Sequence, residues 1–214
     1  MSLASTSVSH DPLPSVMAHL RAGTRSLHAR VEASVDLVGR CATLDGYRDL
    51  LVRMLGLHAP LEKALERLEW RAAGIDLEER RKARLLRTDL SVLGVSPDAA
   101  SAACLPDLPT LAAGFGCLYV LEGSTLGGQI ILRHVEASLG VGPASGASFF
   151  ASYGPRLGIM WRAFGEAATF HCDTPERLDE ALHAAVSTFE AFDTWIGKAL
   201  SPPRADALPY PGPP

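Results

Sequence analysis

The sequence has no run of about 20 consecutive apolar residues, the length that a membrane-spanning helix requires. Its first residues, MSLASTSVSHDPLP, lack both the basic region and the apolar core of a signal peptide. It also lacks an excess of basic charge, because 20 Lys and Arg residues stand against 24 Asp and Glu residues, for a net charge of −4. These absences predict a soluble cytoplasmic protein with no nucleic-acid partner and no membrane partner.

Cysteine is scarce and is not arranged in pairs. The four cysteines are Cys41, Cys104, Cys117 and Cys172, and no two of them stand in a CxxC spacing. The sequence therefore shows neither a zinc pattern nor a redox pair. We expect four reduced cysteines, as is usual in a reducing compartment.

The chain also lacks β-alternation, internal repeats and an inter-domain linker, and apolar residues recur instead at helical spacing. Its 214 residues, 47% of them hydrophobic, suffice for one domain with a large core. The sequence predicts a single all-α domain of six or seven helices over residues 13–200. Residues 1–12 are polar and residues 201–214 are rich in proline, so both segments are expected to be disordered.

Apolar periodicity and capping residues place the helices. The clearest start is Asp173 or Thr174 followed by Pro175, an N-cap and first-turn pair. A charged run from Glu78 to Lys82 is expected to be a solvated helix face. The predicted helical segments are 14–39, 43–71, 77–93, 110–139, 147–172 with an interruption near 153–158, and 174–200, and residues 94–109 form a predicted loop.

Three glycines interrupt the helical segment YVLEGSTLGGQIILRHVEASLG, residues 119–140. Gly123, Gly127 and Gly128 each cost a helix interior about 1 kcal/mol relative to alanine. Gly123 and Gly127 are four residues apart, so they form a strip without side chains on one helix face. Such a strip fits either a close helix–helix contact or a ligand that lies against bare backbone. The segment matches neither a phosphate-binding loop nor a nucleophile elbow.

The first helix carries a polar stripe in the segment LRAGTRSLHARVEAS, residues 20–34. Thr24, His28 and Glu32 are successive i, i+4 neighbours, and Arg21 lies only about 20° from His28 around the helix. A carboxylate one turn from a histidine can hold one ring nitrogen and leave the other for a metal. On this helix alone, a boundary histidine paired with a surface glutamate fits the pattern as well.

Together, Thr-x-x-x-His-x-x-x-Glu on the first helix and the later YVLEGSTLGGQ resemble the heme oxygenase family. The likeness is closest to bacterial members, including those associated with bacteriophytochromes, and it covers roughly residues 15–200. It implies an all-α single-domain fold in which heme is sandwiched between a proximal helix and a kinked distal helix.

The resemblance gives the stripe on the first helix a role on the proximal side of heme. His28 would be the proximal ligand of the heme iron, and Glu32 would orient its ring. Thr24 would line the proximal side. Arg21 lies where the family commonly places a cation for a heme propionate.

On the distal helix, the resemblance places Gly123, Ser124 and Gly127 at the reacting face of heme, with Gly128 beside them. The mammalian-type motif reads Gly-Asp-Leu-Ser-Gly-Gly, and Ser124 occupies the position of its aspartate. A hydroxyl can hold water but is a weaker acceptor than a carboxylate, and Gln129 is a second candidate for that role. The other candidate heme contacts are Arg133 and Arg162, chosen on charge alone, and Phe189, an aromatic residue that suits either a core or a cofactor wall.

The reaction implied by the resemblance is the oxidation of heme to biliverdin, with release of iron and CO. Heme is both substrate and cofactor, O2 is the co-substrate, and electrons come from a separate reductase, ferredoxin or other donor. A bacteriophytochrome is a possible recipient of the biliverdin.

Three alternatives remain at the level of sequence. The first is a heme-binding carrier or sensor without turnover, for which the exchange at Ser124 is the relevant feature. The second is an enzyme resembling the thiamin-degrading TenA-like proteins, which would need a catalytic cysteine with acidic partners. Cys117 lies near the distal segment but has no evident base partner in the sequence. The third is a helical domain in which the stripe and the glycines serve packing alone.

Overall fold

The computed structural model describes residues 15–97 and 104–197. Within these ranges the regular elements are helices, and the expectation of an all-α fold is confirmed. The predicted disordered segments, residues 1–12 and 201–214, lie outside the described residues, as do the two ends of the predicted domain.

Six of the helices described have ten residues or more, and three short ones connect them. Single 3₁₀ turns occur at Trp70–Ala73, Pro143–Ser145 and Gly154–Arg156. The α-helices are α1 (Val16–Val35), α2 (Leu37–Arg40), α3 (Leu44–Leu65), α4 (Leu77–Arg80), α5 (Ala83–Val92), α6 (Leu111–Leu139), α7 (Ser148–Ala151), α8 (Leu157–His171) and α9 (Pro175–Ile196).

Local capping chemistry explains where the long helices begin and end. The side chains of Thr43, Thr110 and Thr174 each accept a hydrogen bond from a backbone N–H of the first turn, at the starts of α3, α6 and α9. Pro175 follows Thr174 as the first residue of α9, so the predicted pair is confirmed. Gly140, with φ of 67°, ends α6 in the left-handed conformation that glycine adopts most easily.

The predicted third helix is wrong in two respects. It is broken into α4 and α5, because the buried carboxylate of Glu62 accepts hydrogen bonds from the backbone N–H groups of Lys82 (2.6 Å) and Ala83 (2.9 Å) and caps α5 there. Its charged run is not a solvated face, since Arg80 and Lys82 are buried. The helix before it is shorter than expected and ends at Leu65 instead of near residue 71.

The core is organised around α9, which packs against both α1 and α6. The close approach of α6 and α9 occurs at Gly116, where a Cβ atom would collide with the backbone carbonyl of Ala181. Gly114 is similarly enclosed by Leu68 and Trp70. In the part of the chain described, α6 alone is long and apolar enough to span a membrane, and more than half of that stretch is buried inside the protein, as in a core helix of a soluble protein.

Candidate active site

A cleft of about 1140 Å³ lies between α1 and α6. The C-terminal part of α9 and the short helix α7 close its inner side, and most of its lining is apolar. Nine of the twelve heme-site candidates proposed from the sequence line it: Arg21, Thr24, His28, Glu32, Gly123, Ser124, Gly127, Gly128 and Phe189. The structure thus brings the stripe of α1 and the glycines of α6, about ninety residues apart in sequence, to opposite walls of one cavity.

His28 presents an accessible imidazole on the α1 wall. Its side chain is 59% exposed, and its Nδ1 atom lies 3.4 Å from Oε2 of Glu32. The His28 ring meets Phe189 edge to face, with ring centroids 5.8 Å apart. Because Glu32 engages Nδ1, Nε2 is the nitrogen left for a bond to a metal.

Two further polar residues of α1 lie beside the hydroxyl of Tyr119. The Thr24 hydroxyl is buried and donates to the carbonyl of Leu20 at 2.7 Å. Burial raises the pKa of Tyr119, while a hydrogen bond with Thr24 and the charge of Arg21 act in the opposite direction. Sequence reasoning missed Tyr119, although it precedes Gly123 by four residues and therefore shares the strip that Gly123 forms with Gly127.

The glycines of α6 fall into two groups according to what surrounds them. A Cβ atom on Gly127 would meet no protein atom within 4 Å, and one on Gly123 would come no closer than 3.8 Å, to Trp161. Close helix packing therefore explains Gly116, but it does not explain Gly123 or Gly127. Gly128 lines the cleft and is also close to α7, because its Cβ would lie 3.4 Å from the carbonyl oxygen of Phe150.

The polar groups of α6 near these glycines are already engaged with backbone. The Ser124 hydroxyl donates to the carbonyl of Leu121 at 2.7 Å, so its oxygen remains available only as an acceptor. The side-chain amide of Gln129 donates to the carbonyls of Phe150 (3.2 Å) and Ala151 (3.4 Å). Of the two candidates for the role of the missing aspartate, Ser124 lines the cleft and Gln129 fastens α6 to α7.

Aromatic side chains form the inner wall of the cleft, and residues outside the cleft hold them in position. The Asp89 carboxylate accepts from the backbone N–H groups of Ser148 (2.9 Å) and Phe149 (2.8 Å), which holds α7 against the cleft. Burial raises the pKa of Asp89, and these hydrogen bonds oppose the shift. His58 packs edge to face on Phe149 with centroids 5.2 Å apart, and burial lowers its pKa to about 3, so it is neutral at pH 7.

Two residues chosen on charge alone lie elsewhere. Arg133 does not line the cleft, and Arg162 lines a separate open groove with Met17 and Phe170 on the α1–α8 side. The cations that do line the cleft are Arg21 and Arg25, one turn apart on α1. Sequence reasoning missed Arg25, which stands four residues after Arg21, on the same face of the helix.

The site contains neither a cysteine nucleophile nor a multi-ligand metal centre. Burial raises the thiol pKa of Cys117 to about 12, and Cys117 does not line the cleft, which argues against the cysteine chemistry of a TenA-like enzyme. Within residues 15–97 and 104–197 there is no group of three or more His, Cys, Asp or Glu side chains that could hold a metal ion. A single histidine facing a wide apolar slot with a bare backbone strip suits a metal that arrives in a large planar organic ligand.

Comparison with known proteins agrees with this geometry. The heme oxygenase family model matches residues 15–198. A heme oxygenase of Xanthomonas campestris pv. campestris (strain 8004) is 31% identical over 160 residues, which are 74% of this chain and 93% of the relative. The structure of a heme oxygenase from Neisseria meningitidis, determined with bound NO and CO, superposes with a TM-score of 0.77 at 26% identity, covering 94% of this chain and all of that one.

The chain belongs to the heme oxygenase family. Its fold is that of these helical oxidoreductases, which degrade heme to biliverdin.

Proposed function

We propose that this protein binds heme in the cleft between α1 and α6 and oxidises it to biliverdin, with release of iron and CO. The observation that carries the proposal is the contrast among the glycines of one helix. Gly116 is required by packing, whereas Gly123 and Gly127 face a cavity in which no protein atom would obstruct a side chain. About 2 kcal/mol of helix propensity is given up at these two positions, and a flat ligand held against the backbone accounts for that loss.

His28 is the proposed ligand of the heme iron through Nε2, with Glu32 fixing the ring through Nδ1. Phe189 meets that ring edge to face and limits its movement. Thr24 lines the same side of the cleft. Arg21 supplies positive charge for a propionate, a role for which Arg25 and the Tyr119 hydroxyl are further candidates because both line the same cleft.

Bound heme supplies the iron that activates O2 and the meso carbon that is oxidised. The residues of this chain hold, shield and orient it. The bare backbone at Gly123 and Gly127 leaves room for a diatomic ligand. The Ser124 oxygen can accept a hydrogen bond from a water molecule near that space, and Phe149, Phe150 and Phe192 keep bulk water from the inner edge.

The remaining parts of the proposal follow from the chemistry of this reaction. We propose that the electrons come from a separate donor, which is a reductase, a ferredoxin or another electron-transfer protein. We propose a cytoplasmic location, where reduced donors are available, and a bacteriophytochrome as a recipient of the biliverdin. A carrier or sensor without turnover is not favoured, since heme storage alone does not require open space above the backbone at Gly127.

A hemin titration tests the proposed ligand directly. The unsubstituted protein should bind one equivalent of hemin with the Soret band of a histidine-ligated heme. His28→Ala should lose that band or shift it, and added imidazole should restore it. His183→Ala is the matched control, because His183 is an exposed histidine of α9 that does not line the cleft. Equal spectra for His28→Ala and the unsubstituted protein would refute the assignment.

A further inference from the structure

A buried charged cluster lies behind the distal helix, outside the cleft. It consists of Arg80, Lys82, Glu122 and Tyr153, and we call it the rear cluster. Arg80 and Lys82 are 6% and 3% exposed, and Glu122 is 2% exposed. None of the four lines the cleft, and the proposed binding of heme uses none of them.

Glu122 is the centre of the rear cluster. Its carboxylate accepts one hydrogen bond from Arg80 Nη1 and one from the Tyr153 hydroxyl, both at 2.6 Å. Lys82 Nζ stands 3.3 Å from the centroid of the Tyr153 ring, a close cation–π contact. Burial raises the pKa of Glu122, and the positive charge of Arg80 together with the Tyr153 hydrogen bond opposes that shift.

The rear cluster joins α6 to three other parts of the fold. Arg80 ends α4 and also donates, at 3.4 Å, to the carbonyl of Met160 in α8. Tyr153 belongs to the connection between α7 and α8, and Lys82 is the N-cap residue of α5. A displacement of α6 at Glu122 would therefore break charged hydrogen bonds in a buried environment, where they are hardest to replace.

The strip of α6 formed by Gly123 and Gly127 has no comparable support. Glu122 directly precedes Gly123, and the two glycines lie about 100° and 140° from it around the helix. Because the strip at Gly123 and Gly127 touches almost no protein, contacts on the cleft side cannot set how far the helix stands from a ligand. That distance must be set by contacts elsewhere on α6. Gly116 packs on α9 and Gln129 bonds to α7, and Glu122 is the contact directly beside the strip.

We propose that Glu122 is a positioning residue, which holds the glycine strip at a fixed height above heme through its bonds to Arg80 and Tyr153. This inference rests on the proposed function. On this proposal, the rear cluster limits the size of the ligands that fit between heme and α6, and Gly123 and Gly127 leave the space in which those ligands bind.

Binding of ligands of increasing size to the reduced heme complex tests this role. The probes are CO and tert-butyl isocyanide, and the readout is the ratio of their dissociation constants, measured from the Soret band. The main variant is Arg80→Met/Glu122→Met, because exchanging both members of a buried ion pair for apolar residues leaves neither partner of that pair unpaired and often preserves folding. Glu62 remains as a negative charge near Lys82. Tyr153→Phe is a milder second variant that keeps the aromatic ring for Lys82.

We expect the double variant to shift the affinity ratio in favour of tert-butyl isocyanide by about tenfold, since active-site spacing is sensitive to displacements below 1 Å. Tyr153→Phe should shift it in the same direction by a smaller factor, and this result decides the matter if the double variant does not fold. Leu86→Ala controls for a general loss of stability, because Leu86 is a fully buried core residue of α5 away from the cleft.

A ratio that changes no more in the Arg80/Glu122 double variant and in Tyr153→Phe than in Leu86→Ala would overturn the positioning role and leave the proposed function intact. Failure of the unsubstituted protein to form a histidine-ligated heme complex would instead overturn both. The two failures are thus distinguished before any variant is compared.

Discussion

Alanine at Gly127 and alanine at Gly116 should have opposite effects on the stability of the heme-free protein. A Cβ on Gly127 meets no protein atom within 4 Å, so Gly127→Ala removes the helix cost of glycine and should stabilise the fold by about 0.5–1 kcal/mol. A Cβ on Gly116 would strike the Ala181 backbone, which cannot rotate away, so Gly116→Ala should destabilise it by about 1–3 kcal/mol. For a domain of this size, 1 kcal/mol corresponds to about 2–4 °C in Tm.

Urea and thermal unfolding of the two heme-free variants, followed by circular dichroism, measure whether each substitution stabilises or destabilises the fold. Gly127→Leu extends the test to function, because its side chain projects into the cleft: the variant should fold normally and bind hemin poorly. A destabilised Gly127→Ala would refute the separation of the glycines into packing and cleft-facing groups. Normal hemin binding and turnover by Gly127→Leu would refute the idea that heme lies against this strip.

Three further substitutions test other parts of the site. Glu32→Ala should speed heme loss by about tenfold through a less firmly held His28, as measured by transfer to a heme acceptor, and an unchanged rate would exclude the orienting role. Because the folded-state pKa of His58 is lowered to about 3, the unfolded chain binds one more proton at this residue between about pH 3 and 6.5, so the contribution of His58 to stability should fall by about 1.4 kcal/mol per pH unit as the pH drops through that range. His58→Leu should remove this contribution of one proton to the pH dependence of the free energy of unfolding, as measured by urea unfolding at several pH values. An unchanged pH dependence would contradict a neutral buried His58. Asp89→Ala should destabilise the protein by about 2 kcal/mol in the same assay and loosen α7, whereas an unaltered midpoint would show that its bonds to Ser148 and Phe149 contribute little.

The parts of the fold that depend on local chemistry could be predicted from the sequence. Thr110 and Thr174 mark helix starts through bonds within their own first turns, and Gly140 marks a helix end through its own backbone conformation. The stripe from Thr24 to Glu32 was likewise recognisable, because its members are neighbours on a single helix.

The parts that depend on distant partners could not be predicted in the same way. Arg80 looks like a surface residue within its charged run, and only the folded chain brings it to Glu122, 42 positions later. The glycines of α6 are chemically identical in sequence, and only the packing of α9 separates Gly116 from Gly127. Charge alone also could not show that Arg25 lines the cleft and that Arg162 does not.

The identity of the cleft as a site of heme oxidation is tested most directly by a single turnover. One equivalent of hemin is bound to the purified protein, a reductant is added in air with catalase present, and the absorption spectrum is followed. We predict that the Soret band decays while the broad red absorption of biliverdin appears, and that His28→Ala does not carry out this conversion. A Soret band that persists through repeated additions of reductant would contradict the account and identify a heme-binding protein without turnover.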